Sequence, residues 1–288
     1  MEYGEITLKT MINLLKANRV NVEFATKSLK DETDKMHYDI PEDIKFPRPV
    51  KKRICGKMEI FESPGDGKSE LILMFIHGGG YCGQFFPAHW KFLAYISERT
   101  GCAFTTPNYP LTPKYTWKES HSMVLDYYKE FVKSHDMSKV IIGGDSAGGA
   151  YALTLLQQAK ASGLSLPAKM VLLSPYVDIT GAVDTDIDPI FEYKGLLEFG
   201  KAWANNLDLK DPRVSPYYGD MKGLPKTSLW VGTNEILYEE IIKAYEKMKE
   251  SGVEIKLNVG KDMIHNFPLL PLKESASARE EIVKFIMD

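Results

Sequence analysis

Cysteine is scarce in this 288-residue chain: Cys55, Cys82 and Cys102 are the only three, and none stands in a CxxC or other metal-ligand spacing. An odd number without such spacing points to reduced thiols rather than a disulfide framework. Excess positive charge is also missing, since 36 Lys and Arg stand against 39 Asp and Glu for a formal net charge of -3. No overall positive field invites phosphate backbones or anionic lipid, so no nucleic acid partner is expected. Long apolar runs are absent as well. The longest, residues 71–76, falls far short of the roughly 20 residues that span a bilayer, so no membrane span is expected. The first twenty residues interleave Glu2, Glu5, Lys9, Lys16 and Arg19 with apolar positions, unlike the continuous apolar stretch of a secretory signal. A cytoplasmic protein is expected. The zinc-protease pattern HExxH does not occur either.

What is present is an ordinary globular composition, 44% apolar and 26% charged, enough to bury a sizeable core. A single domain over residues 1–288 is expected. Helical spacing of Leu8, Met11, Leu14 and Leu15, then of Val22, Phe24, Ala25 and Leu29, predicts one or two amphipathic helices at the start. Pro41, Pro47 and Pro49 then mark a loop. Beyond it, strand-like runs at 58–61, 71–76, 103–105, 140–142, 170–173, 229–231 and 253–257 alternate with amphipathic helical segments, the signature of an α/β protein with a mainly parallel central sheet. Residues 71–76 are apolar at every position, as expected of a central strand covered on both faces. Residues 181–217 break the rhythm, with Asp184, Asp186 and Asp188 before a helical run near 196–207, and read as an excursion above the sheet.

Gly144-Asp145-Ser146-Ala147-Gly148 fits G-x-S-x-G. The bare pattern arises by chance in roughly one chain of this length in ten, so its setting carries the meaning: it follows the strand-like 140–142 and opens the helical 150–159. A serine at so tight a turn has its Oγ pushed into the open, and the following helix aims its N-terminal amides and positive dipole end at the same place. The Ala147 N–H can then donate to an oxyanion. No lysine follows as a Walker loop requires. A second candidate, His77-Gly78-Gly79-Gly80, leaves the carboxyl end of the central strand, where glycines expose backbone amides to a ligand crevice.

A serine hydroxyl needs a base and an orienting carboxylate. Of six histidines, His37, His89, His121 and His135 read as surface or packing residues, whereas His265 occupies a late loop between the last strand and the last helix. The loop after 229–231 contains Glu235, while Glu239 and Glu240 read as helix-start or solvated charges. The chain order Ser146, Glu235, His265 is the one α/β-hydrolases use.

On these residues the chain resembles the hormone-sensitive-lipase-like bacterial esterases of the α/β-hydrolase fold. The resemblance also rests on Asn108 to Pro113, Leu172 to Asp178, Asp211 to Pro216, and Gly223 to Pro225, and extends over about 50–288. It implies an oxyanion hole from Gly79, Gly80 and Ala147, a structural His77, and a helical cap built from about 1–49 and 181–217. Two departures stand out: Tyr109-Pro110-Leu111-Thr112-Pro113-Lys114 replaces the usual Tyr-Arg-Leu-Ala-Pro-Glu, and the acid is Glu235 where aspartate is common. The function implied is a serine carboxylester hydrolase for a small-molecule, short-chain acyl ester, with no cofactor and no metal. Tyr81, Phe85, Phe86 and Trp90 follow the glycine loop and either wall the substrate pocket or pack the core. Cys82, beside the same loop, reads as a small buried hydrophobe. An amidase or peptidase is the nearest alternative; a non-catalytic receptor is disfavoured because His265 is present. The resemblance also implies a homodimer through the edge of the last strand.

Overall fold

A computed structural model describes residues 6–16 and 19–288. The parts of the N-terminal expectations that concern residues 1–5 and 17–18 lie outside the described residues. Eight strands, β1 (Lys51–Cys55), β2 (Met58–Ser63), β3 (Ile72–Ile76), β4 (Ala103–Pro107), β5 (Val140–Asp145), β6 (Lys169–Leu173), β7 (Lys226–Asn234) and β8 (Ile255–Ile264), form one sheet in the order β1-β2-β4-β3-β5-β6-β7-β8. From β4 to β8 every neighbouring pair is parallel; only β1 against β2 and β2 against β4 are antiparallel. The mainly parallel α/β sheet is therefore as the alternation of patterns implied.

Two differences have simple causes. β1 was not expected as a strand because four of its five residues, in Lys-Lys-Arg-Ile-Cys, are exposed. Its pairing with β2 makes it a strand, and an edge strand leaves no burial pattern to read. β8 runs on to Ile264, well beyond the expected end at 257, with its backbone paired to β7 through a register shift between Gly232 and Asn234.

Eight helices accompany the sheet among the described residues: α1 (Leu8–Lys16), α2 (Val22–Leu29), α3 (Pro87–Thr100), α4 (Trp117–Ser134), α5 (Ser146–Ala161), α6 (Tyr193–Ala204), α7 (Tyr238–Glu250) and α8 (Ala276–Met287). Their starts follow local chemistry. Asn21 Oδ1 accepts from Phe24 N–H at 2.8 Å to open α2, and Glu119 reaches back to Thr116 N–H at 3.0 Å to open α4. The strand period of two divides the core into two layers. Met74 and Ile76 of β3 pack with α4, α5 and α7, while Leu73 and Phe75 pack with α3 and α8. Both faces are thus filled, which is why 71–76 is apolar throughout.

The N-terminal segment and the 181–217 excursion meet. α2 packs on α6, and Val20 forms a parallel bridge with Phe191. Val20 N–H donates to Ile190 O at 2.8 Å and Glu192 N–H to Val20 O at 3.0 Å.

Candidate active site

β5 ends at Asp145 and α5 begins at Ser146, with no residue between them. The chain turns by holding Ser146 at φ 51°, in the left-handed region that L residues seldom adopt. The turn depends on Gly148, where a Cβ would run into the carbonyls of Ile76 and His77 at the end of β3. Ser146 lines a cavity of about 470 Å³ together with Gly79, Gly80 and His265. Ala147, fully buried, follows it in the first turn of α5, where free amides and the helix dipole favour negative charge.

The glycine loop leaves β3 beside this turn. Gly79 takes φ 118°, a backbone state open only to glycine. Its carbonyl accepts from Cys82 N–H at 3.1 Å and Gly83 N–H at 2.8 Å, closing the loop. His77 is buried outside the cavity lining, stacked on Tyr109 at 4.5 Å, and its Nδ1 donates to Gly78 O at 2.7 Å. Burial pushes its ring down to about 3, so it is neutral.

Glu235 and His265, thirty residues apart, meet beyond the ends of β7 and β8. His265 Nδ1 and Glu235 Oε2 are 2.7 Å apart, and both side chains are almost wholly buried. The other oxygen, Oε1, accepts from Gly232 N–H at 2.6 Å and from Ser174 Oγ at 2.9 Å. Ser174 Oγ in turn accepts from Asn266 N–H at 3.0 Å, so one hydroxyl joins the acid to the residue after His265. With Nδ1 committed to the carboxylate, Nε2 of His265 is buried and has no hydrogen-bond partner among the described residues. Burial pushes the His265 ring down, but the hydrogen bond and charge of Glu235, helped by Asp188 and Asp145, outweigh it and raise its pKa.

Asp145, inside the G-x-S-x-G stretch, joins the glycine loop, the first turn of α3 and the His265 loop. Its Oδ1 accepts from Gly78 N–H at 2.9 Å and lies 3.1 Å from His89 Nε2; its Oδ2 accepts from Asn266 Nδ2 at 2.7 Å. His89 Nδ1 accepts from Phe86 N–H at 2.8 Å, which leaves the ring's proton on Nε2, facing Asp145. His89 is therefore more than a packing residue. Sequence reasoning gave Asp145, His89, Ser174 and Asn266 no role; the local signals available were the place of Asp145 in the motif, of Ser174 in the Leu172 to Asp178 stretch and of Asn266 next to His265.

The structure divides the aromatics after the glycine loop. Phe86 lines the cavity. Tyr81 does not: held at φ 62°, it is buried with its ring stacked on Trp203 at 4.4 Å and 6° between planes. Phe85 and Trp90 pack on each other at 4.6 Å in the core. Cys82 is buried and also lines the cavity. The rival acids are placed elsewhere. Both lie in the first turn of α7, as expected of helix-start charges; Glu239 is exposed, whereas Glu240 is buried, with Oε1 accepting from Val177 N–H at 3.1 Å.

Among the described residues no group of three or more His, Cys, Asp and Glu could hold a metal ion, and no helix is long and apolar enough to cross a membrane. A family model described as alpha/beta hydrolase fold matches residues 73–269. The chain belongs to that family. An esterase of Acinetobacter venetianus is 27% identical over 233 residues, 78% of this chain and 77% of its own. A triacylglycerol lipase of Mycobacterium tuberculosis is 30% identical over 209 residues, 72% of this chain but 44% of that protein. The crystal structure of a hormone-sensitive lipase from a metagenome library superposes with TM-score 0.82 at 26% identity, covering 98% of each chain. This α/β-hydrolase is thus of the esterase/lipase type, as the HGGG and GDSAGG stretches implied.

Proposed function

We propose that this α/β-hydrolase is a serine carboxylester hydrolase that cleaves short-chain acyl esters through an acyl-enzyme. One observation supports the reading: His265, which lines the same cavity as Ser146, has its Nδ1 2.7 Å from Glu235 and its Nε2 buried without a hydrogen-bond partner among the described residues. That geometry makes Nε2 the proton acceptor. Ser146 Oγ attacks the ester carbonyl as its proton passes to Nε2, and the oxyanion takes hydrogen bonds from the amides of Gly79, Gly80 and Ala147. The tetrahedral intermediate collapses as Nε2–H protonates the leaving alcohol, which departs and leaves an acyl ester on Ser146. Water, losing a proton to Nε2, attacks that ester; the second collapse returns the proton to Oγ and releases the acid. Phe86 and the apolar Phe199 and Leu269 offer the walls for a small ester, and the described residues up to about 49 together with about 181–217 form the cap. The exposed edge of β8 is where a second copy would pair in a homodimer.

The test is twofold. A fluorophosphonate ester should add its phosphonyl group to one peptide, that containing Ser146, as read by mass spectrometry. Matched short-chain ester and anilide substrates should be turned over with a strong preference for the ester. Labelling elsewhere, or faster anilide cleavage, would sink the reading.

The raised His265 pKa sets the pH response. The base must be neutral to accept the Ser146 proton, so kcat/KM is lost as pH falls through its pKa. Because that pKa is raised, the midpoint of the acid limb should lie above the ordinary histidine value of about 6.5. A pH series on the ester tests this; a midpoint below the ordinary value contradicts it.

A further inference from the structure

Asp188 belongs to the 181–217 excursion, distant in sequence from every motif, yet it is fully buried. Its Oδ1 accepts from Ile190 N–H at 2.7 Å and Phe191 N–H at 3.1 Å, and its Oδ2 accepts from Ile236 N–H at 3.0 Å. The carbonyl of Ile236 is held by the same excursion, accepting from Val183 N–H at 3.0 Å. Both backbone polar groups of the residue after Glu235 therefore end on the excursion. On its other side, the Phe191 ring stands edge-on to the imidazole of His265, with centroids 5.0 Å apart and planes at 85°. The N-terminal segment completes the support, since Arg19 Nη2 donates to Phe191 O at 2.9 Å.

An Asx turn needs only one side-chain oxygen, and here Oδ1 alone supplies it to Ile190 and Phe191. What calls for a carboxylate is the second acceptor, Oδ2, on the peptide next to Glu235. Burial pushes the Asp188 carboxyl above its ordinary value, and the charge of His265 and the three N–H groups act against that shift. We propose that Asp188 is a positioning residue for the Glu235–His265 pair: one carboxylate ties the excursion to the peptide after Glu235 and seats Phe191 against His265. The inference rests on the function proposed above. It makes the excursion part of the acid–base apparatus as well as a wall of the cavity. The charged groups facing His265 are Glu235 beyond β7, Asp188 on the excursion and Asp145 at the end of β5; Arg19, near Asp186 and Glu192, is bonded to the Phe191 carbonyl.

Asp188→Asn tests the proposal, because it nearly preserves shape. Its one oxygen can keep the turn to Ile190 and Phe191, but its amide then presents N–H to the Ile236 N–H. The expected result on a short-chain p-nitrophenyl ester is a kcat lower by about 10- to 100-fold, with a smaller change in KM. The acid limb should also move to lower pH, since a negative charge beside the imidazole is gone. Asp184→Asn, at an exposed residue of the same excursion outside this support, should leave both at wild-type values. Wild-type kcat and an unmoved limb in a folded Asp188→Asn overturn the proposal. Should that variant fail to fold, Phe191→Leu replaces it: a fall in kcat of about tenfold or more supports the seating role, and wild-type kcat overturns it. Ser146→Ala separates the two levels. If it keeps wild-type turnover, the proposed function fails; if it is inactive while Asp188→Asn is unimpaired, only the role of Asp188 fails.

Discussion

Ser146→Ala is expected to lower kcat on a short-chain p-nitrophenyl ester by about 10⁶-fold, the scale on which serine hydrolases depend on their nucleophile. The substitution removes a single oxygen. The turn that holds residue 146 at φ 51° is set by β5, α5 and the close approach of Gly148 to β3, so thermal unfolding should change little. His265→Ala should cost about as much, and the double variant no more than either single one, because the hydroxyl without its base is as inert as no hydroxyl. A residual rate of about 10³- to 10⁴-fold over water should survive from the amides of Gly79, Gly80 and Ala147. Activity in Ser146→Ala within tenfold of wild type would mean that another group attacks the ester. Additive losses in the double variant would mean that Ser146 and His265 do not act as a unit.

Glu235→Gln carries the second largest expected effect, a loss of about 10⁴-fold in kcat. The reason is the tautomer. The glutamine oxygen can still serve Gly232 N–H and Ser174 Oγ, the two donors now on Oε1. Its amide N–H₂ then occupies the place of Oε2, 2.7 Å from His265 Nδ1. Two donors cannot share that contact, so the imidazole proton moves to Nε2, the nitrogen that must accept the Ser146 proton. Glu235→Asp keeps the charge but lacks a methylene, so it should retain more activity than Glu235→Gln. If Glu235→Gln kept a tenth or more of wild-type kcat, the orienting acid would have to be found elsewhere. Glu240 is a poor substitute, since its Oε1 is bonded to Val177 N–H rather than to His265.

How much of this could be read from the chain depends on the range of the signal. The strand-turn-helix setting of Ser146, the glycines after β3 and the order of Ser146, Glu235 and His265 are all local features or simple sequence order. Each was legible, and the structure brings Glu235 and His265 into hydrogen-bond contact and Ser146 into the cavity that His265 lines. Tyr81 shows where such reading stops. Its position beside the glycine loop suggested a cavity wall, but its side-chain direction follows from a left-handed backbone and from Trp203, 122 residues further along.

By itself, the sequence determined the class of fold and which central residues are candidates for the proposed chemistry, because period-two and helical patterns, glycine positions and short motifs act within a few residues. The tertiary structure alone decided which groups contact those residues. Asp145 meets Asn266 across 121 residues, Ser174 meets Asn266 across 92, and Asp188 meets Ile236 across 48. A buried polar atom must find its partner wherever the packed chain brings one, and no local pattern encodes that distance.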